Sequence, residues 1–484
     1  MYDVVVIGCG IIGSAVAYEL SKYKLSIAVM EKENDVANVT SKANSGIIHA
    51  GYDPEPGTLM ARLNVEGAKL AEILCKDMCV PYKKIGSLVL AFDETELPKL
   101  QELYERGIAN GVSGLQILSG EQVLKMNPNL NTDVKGALYA PTAAIVNPME
   151  YNIALAETAV RNGVEVFLGN EVRSIEKAHE GFFVIKTNKG IYETKYIFNA
   201  AGLHSDEIHN MAAEPEFKIK AVRGEYYLLD KAEGVRSDFV LFQCPTKEGK
   251  GVLVSPTVHG NLIVGPNAED IVEKDNVSTT SHGLSYIKRL AFKTIPGINF
   301  GESIRNFSGV RATAEGRDDF ILAEAGSAEN FFDLAGVKSP GLSAAPAIAK
   351  EAVELLTAKG IVLEKKQSHI NTRKKIRFNE LSATEKKKII MQKPSYGRVI
   401  CRCETITEGE IIDAIHSPIV PTSIDGVKRR CNAGMGRCQG GFCGPRVLEI
   451  ISRELSISPE QVVQDREGSI IITGETKTGG IANV

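Results

Sequence analysis

The chain has no tryptophan, no marked excess of either charge and no long apolar run. The missing tryptophan decides nothing. A net charge of -4, from 56 Lys and Arg against 60 Asp and Glu, leaves no broad basic surface. A nucleic-acid partner is therefore not expected. No stretch approaches the roughly 18 apolar residues that cross a bilayer, so membrane association would have to come through partners. The start, Met1-Tyr2-Asp3-Val4-Val5-Val6-Ile7-Gly8, lacks a basic n-region and runs straight into a strand pattern. It does not read as a signal peptide, and a cytoplasmic location is expected. What is present is ordinary for a soluble protein: 484 residues, 43% hydrophobic and 24% charged. That length is too great for one core and calls for two or three domains.

Nine cysteines stand in this otherwise plain composition. Without a secretory signal, reduced thiols are expected, and clustered ones serve as ligands or catalysts. Cys9, Cys75, Cys79 and Cys244 are scattered in apolar contexts and read as packing residues. Cys401-x-Cys403 and Cys438-x4-Cys443 are different: two close pairs, separated by a helix-sized segment, can converge on one soft metal centre. Structural zinc more often uses C-x2-4-C pairs. The C-x-C pair is tight for zinc without excluding it, and disulfides are a weaker reading still.

The other end carries a nucleotide-binding pattern. Val4–Ile7 is a β-branched apolar run, followed by Gly8-Cys9-Gly10-Ile11-Ile12-Gly13 and a helix pattern from Ser14. A second strand, Ser26–Met30, ends at Glu31, 18 residues after Gly13. Gly8 permits the tight turn, Gly10 lets backbone amides approach a pyrophosphate, and Gly13 lets helix and strand pack closely. The helix N-terminus offers N–H groups and partial positive charge to phosphate. Glu31 can accept both hydroxyls of a ribose. Three further segments suit a long cofactor. Thr40-Ser41-Lys42-Ala43-Asn44-Ser45-Gly46-Ile47-Ile48-His49 is a polar, small-residue loop, and Asn199-Ala200-Ala201-Gly202 ends a strand in small residues. Gly336-Val337-Lys338-Ser339-Pro340-Gly341-Leu342 starts another helix.

In this order, these pieces resemble the D-amino-acid oxidase and glycerol-3-phosphate dehydrogenase superfamily of FAD enzymes, over about residues 1 to 355. The resemblance implies an α/β fold: a Rossmann-type FAD-binding domain (1–80, 150–215 and 320–362) with an inserted α+β substrate domain (81–149 and 216–319). It carries FAD contacts onto Gly8, Gly10, Ile12, Gly13, Glu31 and Lys32. Further contacts fall on Thr40, Ser41, Asn44, Ser45, Gly46 and Ile48, on Val172, Ala201 and Gly202, and on Gly336, Lys338, Gly341 and Leu342.

Residues 398–455 resemble the bacterioferritin-associated-ferredoxin-like [2Fe-2S] domain of anaerobic glycerol-3-phosphate dehydrogenases. That resemblance implies Cys401, Cys403, Cys438 and Cys443 as ligands in a small helical domain, 396–484. Cys431 departs from the pattern and reads as a non-ligand. Glycines around Cys438 would let backbone amides point at cluster sulfurs. The basic stretch between, 363–395, with Lys386-Lys387-Lys388, reads as a solvated linker or surface helix.

Two branches compete for the substrate. Asn44–Gly51, Arg223–Tyr227 and Val264–Ala268 look like L-2-hydroxyglutarate dehydrogenases; Ser308–Arg311, Gly336–Lys338 and the cysteine module look like glycerol-3-phosphate dehydrogenases. Either reaction needs a carbinol C–H over flavin N5 and a base for the hydroxyl proton. His49 is the candidate base. Arg311 leads the cations for the anionic end of a small hydroxy substrate, with Arg223, Arg305 and Lys338 behind it. Arg317 is expected to pair with Asp318 or Asp319. The reading is an FAD-dependent dehydrogenase oxidising sn-glycerol 3-phosphate to dihydroxyacetone phosphate. Hydride passes to flavin N5, and electrons leave through a [2Fe-2S] cluster to a second flavoprotein or iron–sulfur subunit. An L-2-hydroxyacid dehydrogenase, an electron-relay subunit and an amine or amino-acid oxidase are the alternatives.

Overall fold

Tyr2–Ile7, buried from Val4 onward, forms the centre of an eight-stranded sheet. Its β-branched run suits a strand covered on both faces. It pairs in parallel with Ile27–Met30 on one side and Ile191–Asn199 on the other. The far half of Ile191–Asn199 pairs in parallel with Ala328–Ala335, while its near half continues antiparallel into Phe183–Thr187 and Val172–Lys177. The helices Ile11–Leu20 and Gly341–Ala358 pack against each other, both largely buried. These facts come from a computed structural model, in which residues 1–178, 181–245 and 251–474 are described.

A second sheet, of nine strands, is built from residues 87–140 and 219–314. Its longest pairing joins Ile219–Leu229 to Ser303–Ala314, antiparallel and in register from Ile219 opposite Ala314 to Leu228 opposite Arg305. The helix Ser281–Thr294 packs on this sheet, and Ile287, Ala291 and Ile295 enter its core with Leu229, Leu262 and Val264. A small three-stranded sheet, Ile47–Ile48 with Ala144–Val146 and Tyr82–Lys84, follows directly on the polar loop after Glu31.

The chain divides into two compact units, Met1–Lys32 with Val36–Lys374, and Glu33–Asp35 with Lys375–Val484. In the second, a two-stranded ladder (Val399–Cys401 and Ile406–Thr407) leads into the helices Glu408–Ile415, Ile424–Cys431 and Gly444–Leu455. Thr407 and Glu410 form a reciprocal capping box at the first of these, and Pro445 sits in the first turn of the last. Ile411, Ile415, Val427, Val447 and Ile451 make their common core.

The stretch read as a solvated linker or surface helix is mostly exposed, and part of it is a surface helix. Residues 364–374 lie on the first unit: the Lys366 amide donates to Lys22 O, and the Ile370 amide to Asn162 Oδ1. Arg373 Nε stands 3.3 Å from Glu157 and Nη1 3.8 Å from Glu150, two buried carboxylates. This strap thus brings the Arg373 cation beside two buried anions, whose charge would be costly there without compensation. The lysine run Lys386–Lys388 falls in a helix, Ala383–Gln392, whose capping box joins Ser382 and Glu385.

Candidate functional site

The glycine loop is as tight as its spacing implies. Gly8 has φ +100°, and a Cβ there would stand 2.5 Å from Ala200 O; a Cβ on Gly13 would meet Gly8 O at 1.9 Å. At Gly10 an added Cβ would meet only Ser41 Oγ, at 3.1 Å. Gly10 is also the N-cap of Ile11–Leu20 and supplies no capping side chain, so that helix end keeps donors for a ligand. The loop is braced by polar side chains. The Cys9 amide donates to Glu31 Oε2 at 2.7 Å, and the Ile11 amide to Ser41 Oγ at 2.8 Å. Asn44 folds its own segment, donating to Ser41 O at 3.0 Å and accepting from the Gly46 amide at 2.9 Å.

A cavity of about 870 Å³ opens from this loop. Gly10 and Ile12, Thr40 and Ser41, and Asn44 and Ser45 line it, together with Gly202, Gly341 and Leu342. The nine-stranded sheet contributes Val222, Tyr226 and Arg311 to the same wall, and His49 faces it from the three-stranded sheet. Gly8, Gly13, Glu31, Gly46 and Ile48 lie outside the lining, as do Ala201 and Gly336. Lys32 is exposed beside His204 and Asp275, and Val172 begins a strand away from the lining.

The expected cations separate clearly. Arg311 lines the cavity, its Nη atoms 3.5 Å from Asn267 O, at the long end for a hydrogen bond. Lys338 also lines it but is ion-paired to Asp318. Arg223 is buried outside the lining, 2.6 Å from the Glu269 carboxylate. Arg305 is exposed, opposite Leu228, and does not line the cavity. The pairing expected for Arg317 is replaced. Asp318 goes to Lys338, and Asp319 accepts from the Leu59 and Met60 amides at the start of a helix.

His49 is held on three sides. Its amide donates to Ser343 Oγ at 2.8 Å, its Nε2 stands 3.3 Å from Ser339 Oγ, and its ring stacks on Phe242 at 5.8 Å. Tyr226, Asn267 and Phe242 are cavity residues that sequence reasoning did not single out. Tyr226 and Asn267 lay inside segments quoted only for their likeness to a family. Alternation along a strand could have marked Tyr226 and Arg311 for one face, but only with the register known.

In the second unit the four cysteines come together as two pairs. Cys403 Sγ and Cys438 Sγ are 3.6 Å apart, and Cys401 and Cys443 hydrogen-bond each other. The hydrogen bond from Cys443, with amides of Gly434 and Glu404, brings the Cys401 thiol down to about 6. The Phe442 amide similarly lowers Cys438. Glycine makes room here, since a Cβ on Gly436 would lie 2.3 Å from Cys403 Cβ. Among the described residues, no three of Cys, His, Asp and Glu close around a single ion. Two pairs with thiolate-favouring amides suit a centre of two irons, each needing two protein sulfurs. Cys431 is buried, its Sγ donating to Val427 O at 3.3 Å, and burial pushes its thiol up to about 12. Cys9, Cys75 and Cys244 are buried too; Cys79 is half-buried and donates to Arg373 O.

Comparison with known proteins agrees with both halves. The FAD dependent oxidoreductase family matches residues 3–355, and the BFD-like [2Fe-2S] binding domain matches 399–453. A glycerol 3-phosphate dehydrogenase from Caloramator mitchellensis is 52% identical over 479 residues, covering 99% of each chain. The human mitochondrial L-2-hydroxyglutarate dehydrogenase is 31% identical, covering 70% of this chain and 82% of its own. Among solved structures, the FAD-bound L-alpha-glycerophosphate oxidase of Mycoplasma pneumoniae superposes with a TM-score of 0.74 at 35% identity. That match covers 78% of this chain and 99% of the oxidase.

Proposed function

The chain belongs to the FAD dependent oxidoreductase family and ends in a BFD-like [2Fe-2S] binding domain, and from that membership we propose that it oxidises sn-glycerol 3-phosphate to dihydroxyacetone phosphate. The carrying observation is that His49 and Arg311 face one cavity together with the cofactor-loop residues Gly10, Ser41 and Ser45. Cysteine pairs in the same chain as such a site, and 52% identity to a glycerol 3-phosphate dehydrogenase across both units, favour the phosphate substrate over a hydroxy acid. When bound, FAD supplies a two-electron acceptor and the [2Fe-2S] cluster a one-electron carrier.

The residues divide the remaining work. Gly10, Ile12 and the start of the helix Ile11–Leu20 would hold the pyrophosphate, Glu31 the ribose, and Cys401, Cys403, Cys438 and Cys443 the irons. Arg311 binds the substrate phosphate through its planar fork, with Lys338, itself paired to Asp318, at the cavity wall. Arg223 neutralises Glu269, the carboxylate lining the same wall, so a dianionic substrate meets less repulsion there. Nε2 of His49 takes the proton of the substrate hydroxyl as the carbinol carbon gives up hydride. Stacking on Phe242 and the Ser339 hydroxyl hold the imidazole in its plane. With both groups bound, electrons would leave to a second flavoprotein or iron–sulfur subunit in the cytoplasm. No helix among the described residues is long and apolar enough to cross a membrane.

Steady-state assay of the purified chain against glycerol 3-phosphate and L-2-hydroxyglutarate, with an artificial acceptor, tests this. Turnover with glycerol 3-phosphate alone is expected; turnover with only the hydroxy acid overturns the substrate. Bleaching of the flavin spectrum by substrate without any partner excludes a relay subunit.

A further inference from the structure

Gly224 and Tyr226 stand two residues apart on the strand Ile219–Leu229, and so on one face of it. The antiparallel neighbour sets Arg311 opposite Val222 and Gly309 opposite Gly224. Arg311 therefore starts on that same face, one diagonal step from Gly224. Its guanidinium lies across the glycine: a Cβ added at Gly224 would stand 2.7 Å from Arg311 Nη2 and 2.8 Å from Pro266 Cβ. Just beyond, the Tyr226 phenol lines the same cavity as Arg311 and Ser45, and both act on it electrostatically.

Tyr226 is only 5% exposed, and its ring stacks on Phe307 at 4.9 Å with 13° between planes. Packing, and not the hydroxyl's own bonds, therefore fixes where that hydroxyl points. Ser45 belongs to the cofactor loop. The two layers touch backbone to backbone at this point, because a Cβ on Gly309 would fall 1.8 Å from Ala43 O. The phenol thus sits on the substrate sheet, in the same cavity wall as loop residue Ser45, and the two layers meet at Gly309 on the neighbouring strand.

We infer that Gly224 and Tyr226 are positioning residues for anion recognition. Gly224 gives the Arg311 guanidinium its berth, and Tyr226 holds it there and ties it through Ser45 to the cofactor loop. An arginine confined in this way loses less rotamer freedom when it takes an anion, and its separation from the reacting carbon is fixed in advance. The inference rests on the proposed reading that the substrate is anionic and that Arg311 receives the anion.

Tyr226→Phe keeps the ring and its stack and removes only the bridge. KM for glycerol 3-phosphate should rise roughly tenfold to a hundredfold, the effect of losing one hydrogen bond to a charged group. FAD content and thermal midpoint should stay near wild type. Calorimetric affinity for inorganic phosphate should fall in parallel. Gly224→Ala, which displaces the guanidinium and keeps the phenol, should do the same and serves if Tyr226→Phe does not fold. On an Arg311→Ala background, Tyr226→Phe should change phosphate affinity by less than about twofold, since it acts through that arginine. Wild-type phosphate affinity in both single variants overturns the inference, as does full additivity with Arg311→Ala. Failure of the proposed function appears elsewhere, in wild-type protein that does not turn over glycerol 3-phosphate.

Discussion

Ser339 Oγ stands 3.3 Å from Nε2 of His49, and Ser343, four residues on, accepts from the His49 amide at 2.8 Å. One segment, spanning the start of the helix Gly341–Ala358, thus holds both the backbone and the ring of the proposed base. His49→Gln should slow substrate-driven flavin reduction by on the order of 10²–10⁴-fold while FAD stays bound. Stopped-flow absorbance reads this directly, and an unchanged rate would remove His49 from the mechanism.

The two cysteine pairs make a separable prediction. Cys403→Ser should abolish the EPR signal of the reduced [2Fe-2S] centre, because Cys403 is one of the four thiols brought together. Cys431→Ser should leave it, because that thiol is buried in the helical core with Val427 O as its acceptor. Equal loss in both would mean the ligand set is wrong.

Two glycines of the first loop should respond differently to the same change. A methyl at Gly13 runs into Gly8 O at 1.9 Å, so Gly13→Ala should cost about 1–3 kcal/mol or more, the scale of overpacking. Gly10→Ala meets only Ser41 Oγ and should fold with near-normal stability, yet lose FAD affinity as backbone approach is blocked. Urea denaturation and flavin content per chain separate the two.

Arg373 stands between the buried carboxylates of Glu157 and Glu150. Arg373→Ala leaves both without that cation and should destabilise the protein by about 3–5 kcal/mol, the usual cost of breaking a buried pair. Denaturant midpoints measure it. A change within about 0.5 kcal/mol would mean the strap is not held by charge.

His209 and Asp333 give the pH dependence. Nδ1 of His209 lies 2.7 Å from Asp333 Oδ2, both side chains buried, and Nε2 lies 2.8 Å from Glu214 O. Burial opposes the imidazolium, but the Asp333 hydrogen bond and charge outweigh it and raise His209 above its usual value. Burial also raises Asp333, so the pair holds its proton more firmly when folded. A raised histidine contributes stability fully below its unfolded value of about 6.5 and loses it as pH climbs through the folded value. The thermal midpoint should therefore fall from pH 6.5 upward more steeply in wild type than in His209→Asn.

Short-range chemistry was legible in the chain itself. The glycine loop, the Thr407–Glu410 capping box, Pro445 at a helix start and the paired cysteines each depend on residues close together in sequence, where geometry follows from spacing. Which arginine faces the cavity was not legible. Arg223, Arg305 and Arg311 all lie on the two long paired strands, and only the pairing of Ile219–Leu229 with Ser303–Ala314 turns Arg311 toward the loop. Arg223 goes to Glu269, a partner 46 residues away. The basic stretch near 370 is mostly exposed, as it looked, yet Arg373 reaches two buried glutamates that no local pattern places beside it. Sequence alone determined the chemistry available at each end of this chain. The tertiary structure decided which charges were spent on one another and which remained for a ligand, because ion pairs and strand register join residues that no local pattern relates.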